Sequence, residues 1–155
     1  MKVKLENLEL ESFICNNIDH FIFREELASD QSIKEYLKNI RARLQELPEK
    51  VTTLQYRTSY IVKDHDQLVG YVHLEEIESN SLELHYAVHP NYRGNGYGVQ
   101  ILNEVGKYLL EYDDNIKFLK LYIDPHNVVS KRCAQEAGYQ YQKEKHYYYR
   151  KNKKE

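Results

Sequence analysis

One run of residues constrains this chain more than any other: Val88-His89-Pro90-Asn91-Tyr92-Arg93-Gly94-Asn95-Gly96-Tyr97-Gly98-Val99. Before it, Leu82-Glu83-Leu84-His85-Tyr86-Ala87-Val88 alternates apolar and polar residues. After it, Val99, Ile101, Leu102, Val105, Tyr108, Leu109 and Leu110 recur at helical spacing. The period changes across the run, which therefore reads as a strand-to-helix junction. Its alternating glycines let the backbone turn through positive φ and approach a ligand closely. A helix starting here presents unpaired N–H groups and the positive end of its dipole to an anion. Arg93 adds a fixed charge with a planar donor fork. The junction has the chemistry of a phosphate cradle.

The rest of the chain supplies a frame for that junction. Residues 8–14 alternate and read as an edge strand. Asn16 or Asn17 can cap a helix to about Leu27, with Ile18, Phe21, Ile22 and Leu27 as its apolar stripe. Asp30 or Ser32 caps a second helix carrying Ile33, Tyr36, Leu37, Ile40, Leu44 and Leu47, closed by Pro48, with Arg41 and Arg43 on its solvated side. Three strands follow, at residues 58–63, 68–77 and 82–88, joined by the polar turns Asp64-His65-Asp66-Gln67 and Glu78-Ser79-Asn80-Ser81. They form an antiparallel meander. Beyond the glycine junction the helix ends near Tyr112. Residues 116–123 hold a dense apolar run suited to a strand buried on both faces. Asp124-Pro125-His126-Asn127 ends it, and a short helix over residues 128–137 is stopped by Gly138. Residues 139–150 read as two strands with a turn near residues 143–145. The last meander strand, the glycine-junction helix and the next strand make a β-α-β crossover, which puts one parallel pair into a mostly antiparallel sheet. The fold class is α+β (mixed α/β), one domain over residues 1–150 with a frayed charged tail at 151–155.

Composition removes several function classes. With 22 basic against 24 acidic residues and a formal charge of -2, the chain lacks the basic excess of a general nucleic-acid binder. Cys15 and Cys133 are far apart and form no CxxC pair, so a disulfide framework or structural zinc is not expected and a reducing cytoplasm fits. The start, Met1-Lys2-Val3-Lys4-Leu5-Glu6, has no apolar signal core, and no apolar run approaches membrane-spanning length. His85 and His89 are separated by ~13 Å along a strand, too far to share one metal. No metal is expected. The tyrosines, 15 of 155 residues, suit half-buried sheet positions.

Two motifs in this order resemble the GNAT superfamily of acetyl-CoA-dependent N-acetyltransferases. Arg93-Gly94-Asn95-Gly96-Tyr97-Gly98 is similar to its (Gln/Arg)-x-x-Gly-x-(Gly/Ala) signature. Asn127-x-x-Ser130, followed by Gly138-Tyr139, resembles its second marker, Asn-x-x-(Ala/Ser) with a later Gly-aromatic pair. The likeness covers nearly the whole chain, least specifically the two helices before the meander. A dinucleotide-binding G-x-G-x-x-G fits poorly, because repeated parallel βαβ units are missing. The resemblance implies acetyl-CoA as co-substrate. Its pyrophosphate would lie on the amides of Arg93, Gly94, Asn95, Gly96, Tyr97, Gly98 and Val99, with pantetheine between residues 82–88 and 116–123. Ala87 and Val88 would pair with the pantetheine amides, and a backbone N–H near them would polarise the thioester carbonyl. Asn127 would bond to pantetheine or position the amine, with Ser130 beside it. A plain Asx turn before a helix is the other reading of Asn127.

The acid and base follow from chemistry and resemblance together. A primary amine is mostly protonated at neutral pH, so attack needs a proton acceptor. Glu83 lies on the central strand, like the glutamate of branches that resemble ribosomal-protein N-terminal acetyltransferases. A hairpin pairing Ile77 with Leu82 would put Glu76 opposite Glu83, and a bound ammonium would relieve their repulsion. His85 shares Glu83's face and could relay the proton. Glu75, Glu78, Glu25 and Glu26 could flank an amine cleft. Many family members carry an acid tyrosine seven residues after the asparagine. Here that position is Ala134. The best-known peptide-alanine acetylators place a glutamate where this chain has Tyr122. The acid is then Tyr122, Tyr139 or one of Tyr147-Tyr148-Tyr149, or the thiolate leaves unprotonated. Cys133 has no nearby histidine in its helix to make it a nucleophile.

The expected activity is acetyl transfer from acetyl-CoA to a primary amine by direct attack. The acceptor is a small-molecule amine or a peptide N-terminus, with no nucleic-acid or membrane partner. The alternatives are a non-catalytic acyl-CoA-binding or regulatory module on the same fold, and an interaction domain whose Tyr-rich end supports a homodimer.

Overall fold

The computed structural model describes residues 2–13, 18–28, 56, 58–78 and 80–152. The second helix expected between Asp30 and Pro48, the caps Asn16 and Asn17, and Cys15 lie outside the described residues. The strands are β1 (Lys2–Lys4), β2 (Glu9–Ser12), β3 (Thr58–Asp64), β4 (Gln67–Glu78), β5 (Ser81–Val88), β6 (Phe118–Leu121), β7 (Gln140–Gln142) and β8 (Tyr147–Lys151). The helices are α1 (Ile18–Ala28), α2 (Tyr97–Tyr112) and α3 (Val128–Glu136), with a single 3-10 turn at Pro90–Tyr92. Among the described residues, all eight strands share one sheet in the order β1-β2-β3-β4-β5-β6-β8-β7. Among them β5 and β6 are the parallel pair, joined through α2 as the crossover requires. No helix among the described residues is long and apolar enough to cross a membrane.

Alternation along the central strands divides the core between two faces. Leu82 and Leu84 point to the face covered by α2, where Ile101, Leu102, Val105 and Leu109 are fully buried with Leu119 and Leu121. Ala87, Ile61 and Tyr71 point to the other face, against Phe23 and Leu27 of α1 and Phe13. Each fully buried Leu, Ile or Val contributes about 1.5–3 kcal/mol against the entropy of ordering the chain. A charged residue joins the α2 core as well. The Glu104 carboxylate, 4% exposed, accepts from the N–H groups of Asn7 and Leu8 and from Gln100, and so pins the first loop to α2.

Four expectations change. The strand at residues 8–14 is not the sheet edge, because the short Lys2–Lys4 segment pairs outside it with Val3 turned inward. In the β4–β5 hairpin a register shift between Glu76 and Glu78 moves the pairing by one residue. Glu75, not Glu76, lies opposite Glu83. The strand expected over residues 116–123 is shorter, because the Asp113 turn holds Ile116 at one end and an Asp124-centred turn takes the chain away at the other. The charged tail begins later than residue 151. Lys151 pairs with Phe118, and buried Asn152 donates from Nδ2 to the carbonyls of Leu110 and Ile116, both at 3.1 Å.

Candidate active site

The short β6 creates the site. Its pairing with β5 covers Ser81↔Phe118, Leu82↔Leu119 and Glu83↔Lys120 and then stops, while β4 stays paired with β5 as far as Gly70↔Val88. From Leu84 to Val88 the β6 side of β5 therefore opens into a gap, since β6 ends at Leu121. The glycine junction stands at the far end of this gap.

The loop separates its glycines into two kinds. Gly94 and Gly96 hold φ of 81° and 82°, a region costly for a residue with Cβ, and nothing lies within 4 Å of where a Cβ would sit. Gly98 is needed for space, because a Cβ there would meet the Cys133 Sγ of α3 at 2.9 Å. Gly96 is the N-cap of α2 and brings no side-chain hydrogen bond. The first N–H groups of a 16-residue helix thus face outward without an intrahelical or side-chain cap. These are the features an oxyanion or pyrophosphate needs, and the loop fits that group.

Most side chains of the loop brace it. Arg93 Nε donates to the Val88 carbonyl at 3.1 Å, and Asn95 Nδ2 donates to the Tyr92 carbonyl at 3.0 Å. The Tyr97 hydroxyl donates to Asp64 Oδ2 at 2.6 Å, tying the start of α2 to the β3–β4 hairpin. His89 is buried and accepts from the Asn91 N–H on Nδ1, which leaves its Nε2 proton for Glu26 of α1 at 2.5 Å. Val99 and Gly96 also border a groove of about 700 Å³ that runs toward Gly138 and Arg150.

Glu83 and His85 lie together on the α1 face of the sheet, with Nε2 of His85 3.0 Å from Glu83 Oε1. Burial pushes His85 down to about 4, so its ring is neutral at pH 7. Beside them is a second pair that sequence reading missed. His73 Nε2 donates to Glu75 Oε2 at 2.8 Å, and His73 Nδ1 lies 2.9 Å from the Ser59 hydroxyl. Ser59 is bonded in turn to the Tyr71 hydroxyl at 2.5 Å. Tyr71, Ser59, His73 and Glu75 thus form one hydrogen-bonded chain across β3 and β4. The cross-strand register sets His73 opposite His85 and Glu75 opposite Glu83, with the two imidazole rings 5.9 Å apart. The signal for this array is the period-2 series Tyr71, His73, Glu75. It becomes readable only once the hairpin register is known.

Tyr122 follows β6 on this same face, half exposed, its ring 5.7 Å from that of Tyr147. Partial burial raises its hydroxyl above the ordinary tyrosine value, and the Glu83 carboxylate adds to this. Asn127 adopts the Asx role: its Oδ1 accepts from the Ser130 N–H at 3.1 Å and caps α3. The Ser130 hydroxyl turns away to Tyr86, 2.8 Å from the phenolic oxygen. Tyr139 is buried beneath α2 and donates to the Leu102 carbonyl at 3.1 Å. Tyr148 is in the core, and Tyr149 donates to Gln140. Ala134 is fully buried in the α2-face core and has only a methyl side chain. Cys133 is half-buried against Gly98, and burial pushes its thiol up, away from the thiolate. Among the described residues no group of three or more His, Cys, Asp or Glu is placed to hold a metal.

The arrangement has counterparts of known structure. An acetyltransferase of the GNAT family from Bacillus anthracis superposes with a TM-score of 0.72 at 18% identity, over 99% of this chain and 100% of that one. A spermidine N-acetyltransferase chimera from Vibrio cholerae and hSSAT gives 0.68 at 17% identity, over 96% and 98%. RimL, a ribosomal L7/L12 alpha-N-protein acetyltransferase in complex with coenzyme A, gives 0.65 at 14% identity, over 97% and 98%. At such identities the likeness establishes the fold. No curated protein matches the sequence. The sequence model of the acetyltransferase (GNAT) family spans residues 22–139, which include both the glycine junction and the Asn127 cap, and by that match the chain belongs to the GNAT family of acetyltransferases.

Proposed function

We propose that this protein transfers an acetyl group from acetyl-CoA to a primary amine, by direct attack across the gap between β5 and β6. The observation that carries the reading is the meeting of two features at that gap. One is an uncapped helix N-terminus on a left-handed glycine turn. The other is a carboxylate–imidazole pair on the strand that leads into it. The amides following Gly96 hold the pyrophosphate of the donor, and the groove toward Gly138 and Arg150 has the volume of an ordinary ligand site. Ala87 is paired with Tyr71 of β4 and the Val88 carbonyl accepts from Arg93 Nε, so the Val88 N–H is the backbone group of this pair that we assign to pantetheine. A backbone N–H there would stabilise the developing oxyanion by a few kcal/mol.

On the α1 face, Glu83 takes the proton of the attacking amine, with the neutral His85 ring beside its carboxylate. Glu75, opposite Glu83, gives this face a second negative group, which favours an acceptor that arrives as an ammonium ion. Tyr122 flanks the same entrance. Both a small amine and a peptide N-terminus satisfy that chemistry, in a cytoplasmic protein as the cysteine usage suggests. The test is direct. Acetyl-CoA at millimolar concentration should raise the melting temperature, since it stabilises the native state alone. A panel of amines should then release CoA thiol with at least one member. No thermal shift would sink the donor assignment, and a shift without turnover on any amine would make the protein an acyl-CoA-binding module.

A further inference from the structure

We infer that Glu26 of α1 positions the glycine junction through His89, so that the helix on the acceptor face takes part in holding acetyl-CoA. This assignment rests on the donor placement proposed above. His89 opens the junction, is 4% exposed, and has a partner for every polar group it carries.

Those partners fix the ring in one form. The backbone N–H of His89 donates to the Val69 carbonyl and its carbonyl accepts from the Tyr92 N–H, both at 2.9 Å. Its Nδ1 accepts from the Asn91 N–H at 3.1 Å and so caps the 3-10 turn Pro90–Tyr92, from which the glycine run begins. A backbone N–H can only donate, so Nδ1 carries no proton. Nε2 then carries the proton of the neutral ring and gives it to Glu26 Oε2, 2.5 Å away. A proton on Nδ1 would set N–H against N–H at Asn91. Only the Nε2–H tautomer serves both partners, and the Glu26 carboxylate favours it.

The link extends to both sides of the imidazole. Toward α1, the Phe23 ring lies one turn before Glu26 and 5.3 Å from the His89 ring, in the core cluster that holds Tyr71 and Ala87. Toward the loop, the imidazole meets Tyr92 edge-on at 5.8 Å, and Tyr92 meets Tyr97, the first residue of α2, at 6.2 Å. The rings of Phe23, His89, Tyr92 and Tyr97 thus run as one series from α1 to the helix start whose amides face outward. Packed rings pass a displacement on rather than absorb it. The Tyr97 hydroxyl bond to Asp64 grips the end of this series, whereas Glu26 sets the ring in its middle. Glu26 acts through His89 and is a positioning residue.

Acetyl-CoA affinity measured by calorimetry tests the link. The Glu26 side chain is 47% exposed, so its truncation opens no cavity. Glu26→Ala should raise the Kd for acetyl-CoA by about three- to tenfold, the worth of one hydrogen bond. Glu26→Gln keeps a carbonyl that can accept from Nε2 and should recover most of that loss. His89→Asn can still cap the turn but is too short to reach α1. It should lose as much as Glu26→Ala, and the double variant should lose no more than either single. A wild-type Kd in Glu26→Ala overturns the inference even if its melting temperature falls, because the bond is then structural only. Equal losses in Glu26→Ala and Glu26→Gln, or losses that add in the double variant, overturn it as well. If His89→Asn does not fold, the two Glu26 variants decide. Amide NMR spectra of the free protein read the link without a donor. Glu26→Ala should move the signals of Asn91, Gly94, Gly96 and Tyr97, and Glu26→Gln should return them toward wild type. If they move but the wild-type protein does not bind acetyl-CoA, the donor assignment fails while the loop's dependence on Glu26 stands. Unmoved signals in a protein that does bind acetyl-CoA overturn the inference alone.

Discussion

The two sides of the gap are made from different materials. The side we propose for the donor is backbone: consecutive residues from Val88 to Val99 whose turn and helix start point amides outward, while the side chains of Arg93, Asn95 and Tyr97 turn back to brace the loop. The side we propose for the acceptor is made of side chains from three strands, Ser59 of β3, Tyr71, His73 and Glu75 of β4, and Glu83 and His85 of β5. A backbone site depends on a few torsion angles and survives most substitutions that spare its glycines. A side-chain site depends on strand register, and a one-residue slip moves a whole set of groups to the other face. The donor half of the chemistry is accordingly the more robust, and the acceptor half the freer to differ between proteins of one fold.

The largest expected effect separates the halves most sharply. Glu83→Gln should lower kcat with the best amine of the panel by about 10²–10⁴, the usual worth of a general base. The thermal shift caused by acetyl-CoA should stay within error of wild type, because Glu83 is on the acceptor side. The register then decides between its neighbours. Glu75→Gln should raise KM for a cationic amine, and Glu76→Gln should leave it unchanged, because Glu76 lies opposite Leu82. The reverse ranking would mean that the shift between Glu76 and Glu78 does not persist in solution. Loss of the acetyl-CoA shift in Glu83→Gln would break the separation itself.

That contrast also explains what could be read from the sequence. Gly94, Gly96, Gly98, Asn127 and Ser130 are local signals, each carrying its meaning within one turn of chain. The strand-to-helix junction, the helix after it, the meander and the parallel pair follow from periodicity and short turns alone. Sequence alone puts Glu76 rather than Glu75 opposite Glu83, because hairpin register depends on a bulge, and a bulge costs only one unpaired residue with no fixed composition. The His73–Ser59–Tyr71 chain escaped because its members are up to 14 positions apart and meet only through that register. Tyr86 looked like one more sheet tyrosine, since its partner Ser130 is 44 positions away on α3. Asn152 read as tail because its role, closing the carbonyls of Leu110 and Ile116, exists only after β8 has been laid against β6.

A smaller effect tests whether the donor side is as simple as backbone. Gly98→Val should destabilise the protein by about 1–3 kcal/mol through overpacking, because its Cβ falls 2.9 Å from Cys133 Sγ. Replacing Cys133 by Ala in the same chain should recover much of that loss. Gly94→Ala should also destabilise, by about 1 kcal/mol from its left-handed backbone, but the Cys133→Ala change should not help it, since nothing lies within 4 Å of that Cβ position. Chemical denaturation of the two singles and two doubles measures the coupling. Equal recovery in both backgrounds would mean that the two glycines serve one purpose, and the division drawn here between torsion and space would fail.

The smallest effect concerns a brace, and it depends on pH. The Tyr97 hydroxyl donating to Asp64 is the main reason that this carboxyl is held below its ordinary value, with a lesser contribution from His65. A carboxyl depressed in the folded state adds stability above its unfolded value, near 3.9, and that stability is lost as pH falls through the folded value. Conversely the bond pushes Tyr97 up to about 12. A group raised on folding adds its stability below its unfolded value, near 10, and loses it as pH rises through the folded one. Tyr97→Phe should therefore cost about 0.5–1 kcal/mol at pH 7, modest because both groups meet solvent. The cost should vanish below the folded value of Asp64 and above that of Tyr97. Stability of the two proteins measured by denaturant from pH 2 to pH 8 checks the acid side of this window. Acetyl-CoA affinity at pH 7 should change by no more than about twofold, under half a kcal/mol, because the hydroxyl braces the loop from behind and leaves the amides in front of it untouched. A tenfold loss of affinity would show that the side chain is part of the donor site, and the donor half could no longer be described as a backbone device.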